Sequence, residues 1–485
     1  MGGLKTLFKQ TFIYGLATVL PRMLSFLLVR LHTDANVLKT VADYGVVSLI
    51  YSYFVLFNVI LAYGMETAFF RFFNKDDKKT VIGTSTVSLI LSSLVFFVLA
   101  FLFQNQISTL VDIKVDYINL VIWILLFDAL VIIPFAWLRA NAKPIRYALI
   151  KILNVAINLG LNLFFLLWLE NLAEKSNFFA SIYKPNFEVN YIFIANLIAS
   201  GITLILMLPF YFKIKYKFNV RLWKNMLKYA FPILIAGVAF SINETFDRIL
   251  LNNLLPQSIA KTQIGMYSAC YKLALFMTLF ATAYRLGIEP FFFSHAKTAN
   301  PQKNYAKILE FFVALGALIL LCVVVFADVL KVIFIGDSAY WEAMWIVPVL
   351  LLASFCLGIY HNLSVWYKIT DRTKFGAYIS IAGALVTLII NVAFIPSYGY
   401  KASAVATLAA YAIMMLLSFY FGKKYYPIPY NLKKISLYLS LSIVFSALSF
   451  YQFRTNYIVG VSLLIVFLTV IWFSEKKQIQ QLLKR

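Results

Sequence analysis

Charged residues are scarce in this chain. Only 13% of its 485 residues are Asp, Glu, Lys or Arg, whereas 62% are hydrophobic. A typical soluble protein carries about 25% charged residues and 45–50% apolar residues. The scarcity of charge therefore excludes a soluble globular protein and indicates a protein that crosses a membrane many times.

Cysteine and histidine are almost absent, with three residues of each. Cys270, Cys322 and Cys356 lie far apart in apolar runs, a pattern that indicates neither a disulfide framework nor a zinc site. The sequence also lacks a nucleotide-binding loop and a nucleophile motif. We therefore expect no metal, no cofactor and no catalytic motif, which favours a transporter over an enzyme.

Long apolar runs make up most of the chain. A membrane-spanning helix needs about 20 apolar residues, and fourteen runs of suitable length are present. They cover residues 10–31, 44–65, 81–103, 117–138, 147–169, 191–212, 229–252, 265–287, 308–330, 342–366, 377–396, 403–422, 435–452 and 457–473. The sequence predicts an all-α polytopic membrane protein with about 14 transmembrane helices.

Basic residues are concentrated on one side of these spans. With the N-terminus in the cytoplasm, 29 of the 43 Lys and Arg residues fall in inside segments, eight fall outside and six fall within spans. Cytoplasmic loops are enriched in Lys and Arg, so this distribution predicts that both termini are cytoplasmic. The net charge of +23 is thus explained by membrane topology, and we expect no nucleic-acid partner.

The spans form two halves. Residues 44–70 and 267–293 align without gaps, and both contain the pattern GxExxFF at the same point of a span. Parallel repeats of this kind build transporters whose site lies between the halves. We predict two pseudo-symmetric six-helix bundles, at 1–212 and 229–422. A basic cytoplasmic linker at 213–228 joins them, and 423–485 adds two helices and a cytoplasmic tail.

The linker and the loops lead to two further predictions. One face of the second half of the linker is apolar and the other is basic, which suits a helix lying on an anionic membrane surface; an ordinary basic linker is the alternative. The longest outside loop, 170–190, leaves no room for a catalytic domain. This disfavours an oligosaccharide polymerase or ligase.

Charged residues inside spans are the main candidates for function, because such residues usually face a polar cavity or pair with each other. Arg22 is about 12 residues into the first span, near mid-bilayer at 1.5 Å per residue, and an ion pair with Asp128 is its alternative role. Arg30 and Arg248 could instead extend to the outer interface. The cations predicted to bind substrate are Arg22, Arg30, Arg248, Lys272 and Arg285. The acids predicted to act in coupling or ion pairing are Asp128, Glu244 and Asp247.

Polar stripes and prolines add further candidates. Asn154, Asn158 and Asn162 recur every four residues and form one face of the fifth span. This face could line a sugar site or form hydrogen bonds between helices. Pro21 and Pro232 each lie in the first span of a half, where proline permits a bend, so we predict them as hinges.

The chain resembles the Wzx-type polysaccharide flippases of the multidrug/oligosaccharidyl-lipid/polysaccharide exporter superfamily. The residues that carry the resemblance are the first span "FIYGLATVLPRMLSFLLVRL", the second span closing "LAYGMETAFFRFF", the two six-span halves and the two added C-terminal spans. The resemblance implies alternating-access export of an undecaprenyl-diphosphate-linked oligosaccharide across the bacterial cytoplasmic (inner) membrane. It also implies that lipid-linked oligosaccharide and membrane lipids are partners, with polysaccharide assembly proteins as a further class.

The charges in the spans favour this branch of the superfamily. Cations outnumber acids there, and arginine binds phosphate oxygens bidentately, as an anionic diphosphate requires. A lipid II flippase shares these features and stays open as an alternative. A multidrug cation antiporter is a second alternative, which would depend on Asp128 or Glu244.

Overall fold

The computed structural model describes residues 20, 23–24, 26–295 and 300–483. These residues are overwhelmingly helical, and they contain no β-strand. Thirteen of their helices are long and apolar enough to cross a membrane. Each coincides with one of the predicted spans from 44–65 to 457–473, so the predicted all-α polytopic fold is confirmed. Most of the first predicted span, 10–31, lies outside the described residues.

Contacts divide the chain into two compact units, and the division passes through one long helix. The first unit comprises residues up to Gly265 together with Asn391–Tyr400, and the second comprises Met266–Ile390 and Lys401 onwards. The helices of the first unit are α1 (Val41–Ala62), α2 (Met65–Phe73), α3 (Lys78–Leu102), α4 (Gln104–Val111), α5 (Val115–Leu130), α6 (Ile132–Ala140), α7 (Pro144–Leu163), α8 (Leu169–Ala173), α9 (Asn177–Ile182), α10 (Glu188–Lys213) and α11 (Val220–Leu254). A π-helical segment, Phe164–Trp168, connects α7 to α8.

The long helix α12 (Gln257–His295) begins in the first unit and continues into the second. The second unit also contains α13 (Pro301–Val325), α14 (Ala327–Phe334), a 3₁₀ segment (Ser338–Ile346), α15 (Val347–Leu363), α16 (Val365–Ile369), most of α17 (Lys374–Tyr398), α18 (Tyr400–Tyr425), α19 (Leu432–Ala447), a π-helical segment (Leu448–Gln452) and α20 (Tyr457–Leu483). The two added C-terminal helices, α19 and α20, pack against α13.

Side-chain caps set several helix starts in the first unit. The Thr40 hydroxyl accepts a hydrogen bond from the Asp43 backbone N–H, and the Asp43 carboxylate accepts one from the Thr40 backbone N–H. Asp77 caps α3 by accepting from Thr80 N–H at 3.0 Å, and Asn219 caps α11 by accepting from Leu222 N–H at 2.9 Å. These bonds satisfy backbone donors that have no partner inside the helix.

The basic linker differs from the prediction. Helix α11 begins at Val220, nine residues before the predicted span, because the cap at Asn219 starts it there. Leu222 and Met226 are buried in an apolar cluster with α2, α3 and α6. The indole N–H of Trp223 donates to Ser88 at 2.8 Å. The apolar face predicted to lie on a membrane surface is therefore packed inside the first unit, and the predicted interfacial helix is wrong.

This packing also explains why α11 belongs to the first unit, although the predicted boundary assigned this span to the second bundle. Ala230 continues the same apolar stripe and lies against Gly64 at the α1–α2 junction. The domain boundaries proposed from the sequence stay a prediction.

In the second unit, charged contacts connect helix ends. Lys434 Nζ lies 2.8 Å from Glu475 Oε1 and 3.9 Å from Glu310 Oε2, and the Tyr438 hydroxyl donates to Glu475 at 2.8 Å. These contacts tie the start of α19 to the N-terminal half of α13 and to the last third of α20. At the opposite end of α13, Arg454 and Lys331 bind the same carboxylate, Asp328.

Candidate functional site

The predicted site residues are distributed over both units. Arg22 and Pro21 lie outside the described residues. The first unit contains Arg30, Arg248, Asn154, Asn158, Asn162, Asp128, Glu244, Asp247 and Pro232, and the second contains Lys272 and Arg285. We therefore describe the geometry of each unit separately.

The asparagine stripe on α7 forms hydrogen bonds to other helices. Asn162 is fully buried, and its Oδ1 lies 2.9 Å from His32 Nε2. Its Nδ2 donates to the backbone oxygen and to Oδ1 of Asn158, at 2.8 and 2.9 Å. Asn154 Nδ2 donates to Thr203 Oγ1 on α10 at 2.9 Å. Two of the three asparagines thus contribute to helix association, the structural alternative that the sequence had left open.

Asn158 differs from the other two asparagines. Its carbonyl groups accept from Asn162, whereas its amide nitrogen has no hydrogen-bond partner within the described part of the chain. A half-buried amide donor of this kind is able to bind a hydroxyl or phosphate oxygen of a ligand.

A cluster of polar side chains, here named the polar layer, extends this stripe through the interior of the first unit. It consists of Asp128, Lys151, Asn154, Ser200 and Thr203. Ser200 donates to Asp128 Oδ1 at 2.8 Å, and Lys151 lies near enough to Asp128 to interact electrostatically. The polar layer offers donors and both signs of charge within an otherwise apolar bundle.

The Lys151 ammonium lies over an aromatic ring. Its Nζ is 4.3 Å from the centroid of Phe135, a cation–π contact. Because an aromatic face leaves ammonium hydrogens available, Lys151 keeps the capacity to bind an anion. Lys151 is the sixth of the cations that fall within the predicted spans, but it was not among the predicted binding residues.

Two members of the polar layer, Ser200 and Thr203, were missed in the sequence. With Asn196 they follow the spacing i, i+4, i+7 on α10, which places them on one helical face. Asn196 forms a side-chain hydrogen bond with Tyr51. A search for polar residues at helical spacing in this span would have found the face that meets the asparagine stripe.

Arg248 on α11 is buried, and an adjacent carboxylate balances its charge. Its Nη1 lies 2.9 Å from Asp247 Oδ1, both side chains are almost inaccessible, and the same nitrogen approaches the Glu244 backbone oxygen at 3.5 Å. A buried cation with an adjacent carboxylate has less free charge to offer a phosphate.

Arg30, Lys272 and Arg285 occupy different environments. Arg30 is exposed, and its Nη2 is 4.0 Å from Asp34 Oδ2, one turn further along the chain, as expected of an interfacial residue. Lys272 and Arg285 are both half-buried on α12. They are 13 residues apart, so they differ in depth by roughly 20 Å.

The predicted hinge Pro232 lies inside α11, which continues without interruption from Val220 to Leu254. Pro209 in α10 and Pro396 in α17 also lie within helices. Each removes one backbone hydrogen bond from its helix.

Among the described residues, no group of three or more His, Cys, Asp or Glu side chains is arranged to hold a metal ion.

Comparison with known proteins first identifies the class of fold. The chain is similar to the structure of the lipid II flippase MurJ in an inward closed conformation, with a TM-score of 0.73 and 16% identity over 96% of this chain and 99% of that one. It is also similar to an inward-facing MATE family multidrug resistance transporter of the MOP superfamily. That match has a TM-score of 0.65 and 13% identity over 87% of this chain and 96% of that one. The chain is thus a multi-pass membrane protein with the fold of these transporters.

The family follows from the sequence. The family model described as polysaccharide biosynthesis protein matches residues 7–294, which is more than half of the chain. The chain therefore belongs to the polysaccharide biosynthesis protein family. No curated protein gives a significant match.

Proposed function

We propose that this protein is a flippase. It exports undecaprenyl-diphosphate-linked oligosaccharide, of the O-antigen or capsule repeat-unit type, across the bacterial cytoplasmic membrane by alternating access. Membership of the polysaccharide biosynthesis family and the flippase fold support this function. Both termini face the cytoplasm in this proposal, as the distribution of Lys and Arg indicates.

The polar layer is the observation that carries the proposal. Lys151 lies on an aromatic ring, and the amide nitrogen of Asn158 is two turns along the same helix. An ammonium group and amide donors suit the phosphate and hydroxyl oxygens of a lipid-linked sugar. Cations also outnumber acids within the predicted spans, which favours an anionic substrate over a cationic drug.

Arg22 has a separate role in this proposal. This role is inferred from the sequence, because a guanidinium near mid-bilayer costs free energy unless it binds a ligand or pairs with another group. We assign it to diphosphate binding, and Arg30 to the outer interface.

The test measures lipid-linked oligosaccharide retained on the cytoplasmic side of cells that depend on this protein. Arg22→Ala and Lys151→Met should each trap the substrate, whereas Arg22→Lys should retain part of the transport because it keeps the charge. Arg30→Gln is the matched control, since Arg30 is exposed, and it should export normally. Normal export by both Arg22→Ala and Lys151→Met at wild-type protein levels would contradict the proposal.

The membrane potential is the proposed driving force. A dianion that moves outward from a negative interior gains about 2.3 kcal/mol per charge and 100 mV. Flipping that continues unchanged after the potential is collapsed would exclude this source of energy.

A lipid II flippase is the second candidate. The match to the structure of the lipid II flippase MurJ covers 96% of this chain, whereas the match to the multidrug resistance transporter covers 87% of it. The more complete match favours a lipid II flippase over a multidrug antiporter. Complementation of a cell-wall flippase defect distinguishes lipid II from other lipid-linked sugars. Drug resistance that disappears on neutralising Asp128 or Glu244 would favour the antiporter. Glycosyl transfer by the pure protein would favour a polymerase or ligase.

A further inference from the structure

A basic cavity outside the polar layer lies at the end of the first unit that the charge distribution predicts to be cytoplasmic. Its volume is about 230 Å³, several times the roughly 30 Å³ that one water occupies. Five cations line it, and no acidic residue does among those that the structure describes. They are Lys79, Lys143, Arg146, Lys213 and Lys215.

The five cations lack a paired carboxylate in the described ranges of the chain. Among the described residues, none of them forms an ion pair with a carboxylate. Lys143 occupies the N-cap position of α7 and Arg146 lies in its first turn, where the helix dipole already supplies positive charge. Cations at this position oppose the dipole, so the arrangement costs stability unless an anion occupies the cavity.

The remaining wall of the cavity is apolar. Ile82, Trp137, Met207 and Phe210 line it, and Lys143 Nζ lies 4.6 Å from the centroid of the Trp137 ring. A cavity with an apolar wall and basic groups fits a molecule with a charged head and a hydrocarbon portion. Basic pockets between membrane helices on the cytoplasmic side bind anionic lipid head groups in this way.

Backbone contacts hold the cavity in shape. A Cβ on Gly83 of α3 would lie 2.6 Å from the Lys215 backbone oxygen and 2.7 Å from that of Lys217, so only glycine lets this loop approach α3. The Thr84 hydroxyl donates to the Lys217 backbone oxygen at 3.3 Å and accepts from the Asn219 backbone N–H at 3.1 Å. The loop that follows Lys213 and carries Lys215 is therefore fixed against α3.

We propose that this basic cavity binds the phosphate head group of an anionic membrane phospholipid. The lipid occupies a site on the first unit that is separate from the polar layer. The five lining cations bind its phosphate, and its glycerol and acyl portion contacts the apolar wall. The phosphate chemistry is shared with free phosphate and with a polyprenyl diphosphate, so the experiment separates these sources.

The test is an equilibrium titration of the full-length protein in zwitterionic detergent, followed by tryptophan fluorescence. The probes are short-chain phosphatidylglycerol, phosphatidylcholine, inorganic phosphate and undecaprenyl diphosphate. Phosphatidylglycerol should bind and phosphatidylcholine should not. Trp137→Phe should remove most of the signal, because Trp137 lines the cavity.

The cavity variant is Lys143→Gln/Arg146→Gln/Lys213→Gln. It should weaken phosphatidylglycerol binding at least about tenfold, equivalent to about 1.4 kcal/mol. The matched control, Lys75→Gln/Arg221→Gln/Lys224→Gln, removes the same charge from exposed positions that do not line the cavity, and should change binding less than about twofold because distant surface charges are screened. Lys143→Arg/Lys213→Arg should bind normally, and it keeps the test valid should the triple variant fail to fold.

Three results would overturn the proposal. Equal weakening by the cavity variant and the control would show non-specific charge attraction. Inorganic phosphate that saturates the cavity at the same concentration as phosphatidylglycerol would show a free phosphate site. A cavity variant that loses undecaprenyl diphosphate but keeps phosphatidylglycerol would assign the cavity to the transported substrate.

Discussion

The same sequence pattern adopts two conformations in the two halves of this protein. In the first half, GxExxFF begins at Gly64, where α1 ends and α2 begins, and Gly64 has a φ of 73°. In the second half it begins at Gly287, inside the continuous helix α12. A Cβ on Gly64 would lie 2.6 Å from the Ala230 backbone oxygen, whereas one on Gly287 would meet no atom within 4 Å.

The comparison shows that the glycine permits a break without causing one. In the first half α11 lies directly against the junction, and the left-handed turn at Tyr63 and Gly64 accommodates it.

The halves also differ in the polar contacts described above. In the first unit, Asn162 and Asp128 form hydrogen bonds well inside the apolar spans Pro144–Ala173 and Val115–Ala140. In the second unit, Asp328 and Glu475 form charged contacts beyond the span Pro301–Val325 and at the end of the span Tyr457–Lys476.

Alanine at the two glycines should give the largest difference. Gly64→Ala should destabilise the protein by at least about 2 kcal/mol, because the left-handed conformation costs about 1–2 kcal/mol for an L-residue and the methyl group would collide with Ala230. Gly287→Ala should stabilise it by about 0.5–1 kcal/mol, since alanine is favoured over glycine within a helix. The measurement is the thermal unfolding of the purified variants in detergent. Equal effects of the two substitutions would remove the distinction between the halves.

Replacing Asn162 should produce the next effect, in the first unit. Asn162→Leu should cost about 1–2 kcal/mol, because it removes the contact with His32 and two bonds to Asn158, and hydrogen bonds between membrane helices contribute about 0.6 kcal/mol on average. Asn154→Leu, which removes a single bond to Thr203, should cost about half as much by the same thermal assay. A larger loss from Asn154→Leu would reverse the assigned importance of the two contacts.

The second unit should differ from the first in a contact that depends on pH, the one formed by Asp328. Asp328 lies beyond the end of α13 at Val325. Burial alone would raise the pKa of Asp328, but hydrogen bonds and charge from Arg454 and Lys331 outweigh it, and the pKa lies below its ordinary value. A carboxylate with a lowered folded-state pKa stabilises the protein above its unfolded pKa of about 3.9. This stability is lost as the pH falls through the folded-state pKa.

Asp328→Asn should therefore lower the unfolding temperature equally between pH 7 and about pH 5, and the difference from the parent should shrink below about pH 4. Asp337→Asn, at a half-buried aspartate that accepts a hydrogen bond from the Ala339 backbone N–H, serves as the control. A difference between parent and variant that grows as the pH falls would contradict the sign of the pKa shift.

The smallest effect is expected for the glutamate of the repeat in the first half. Glu66 Oε1 lies 2.7 Å from Arg139 Nη1, and both side chains are exposed by 40% or more. Exposed pairs of this kind contribute about 0.2–1 kcal/mol. A double-mutant cycle with Glu66→Gln and Arg139→Gln should give a coupling energy in this range at low salt and a smaller one at high salt. A salt-independent coupling above about 2 kcal/mol would show that this pair, and not Gly64, sets the geometry of the junction.

Much of the fold was predictable, whereas little of the site geometry was. Apolar runs such as 81–103 and 403–422 coincide with helices because a bilayer requires both apolar composition and sufficient length. The start of α11 was misjudged because Leu222 and Met226 have the same apolar periodicity whether they face a membrane or a protein core. The polar layer was only half recognised, since its α10 side, Ser200 and Thr203, consists of small polar residues common in any span.

The sequence alone determined the class of protein, thirteen of its spans and the family, because hydrophobicity acts through the membrane itself. The sides of these spans stay a prediction from the distribution of Lys and Arg. Tertiary structure decided which polar groups pair. It placed Asn162 against His32, Arg248 against Asp247 and Lys151 on Phe135. It also decided that the helix ends near Gly64 and continues through Gly287. Such outcomes depend on what a neighbouring helix presents at a distance of a few ångströms, which no periodicity within a single span encodes.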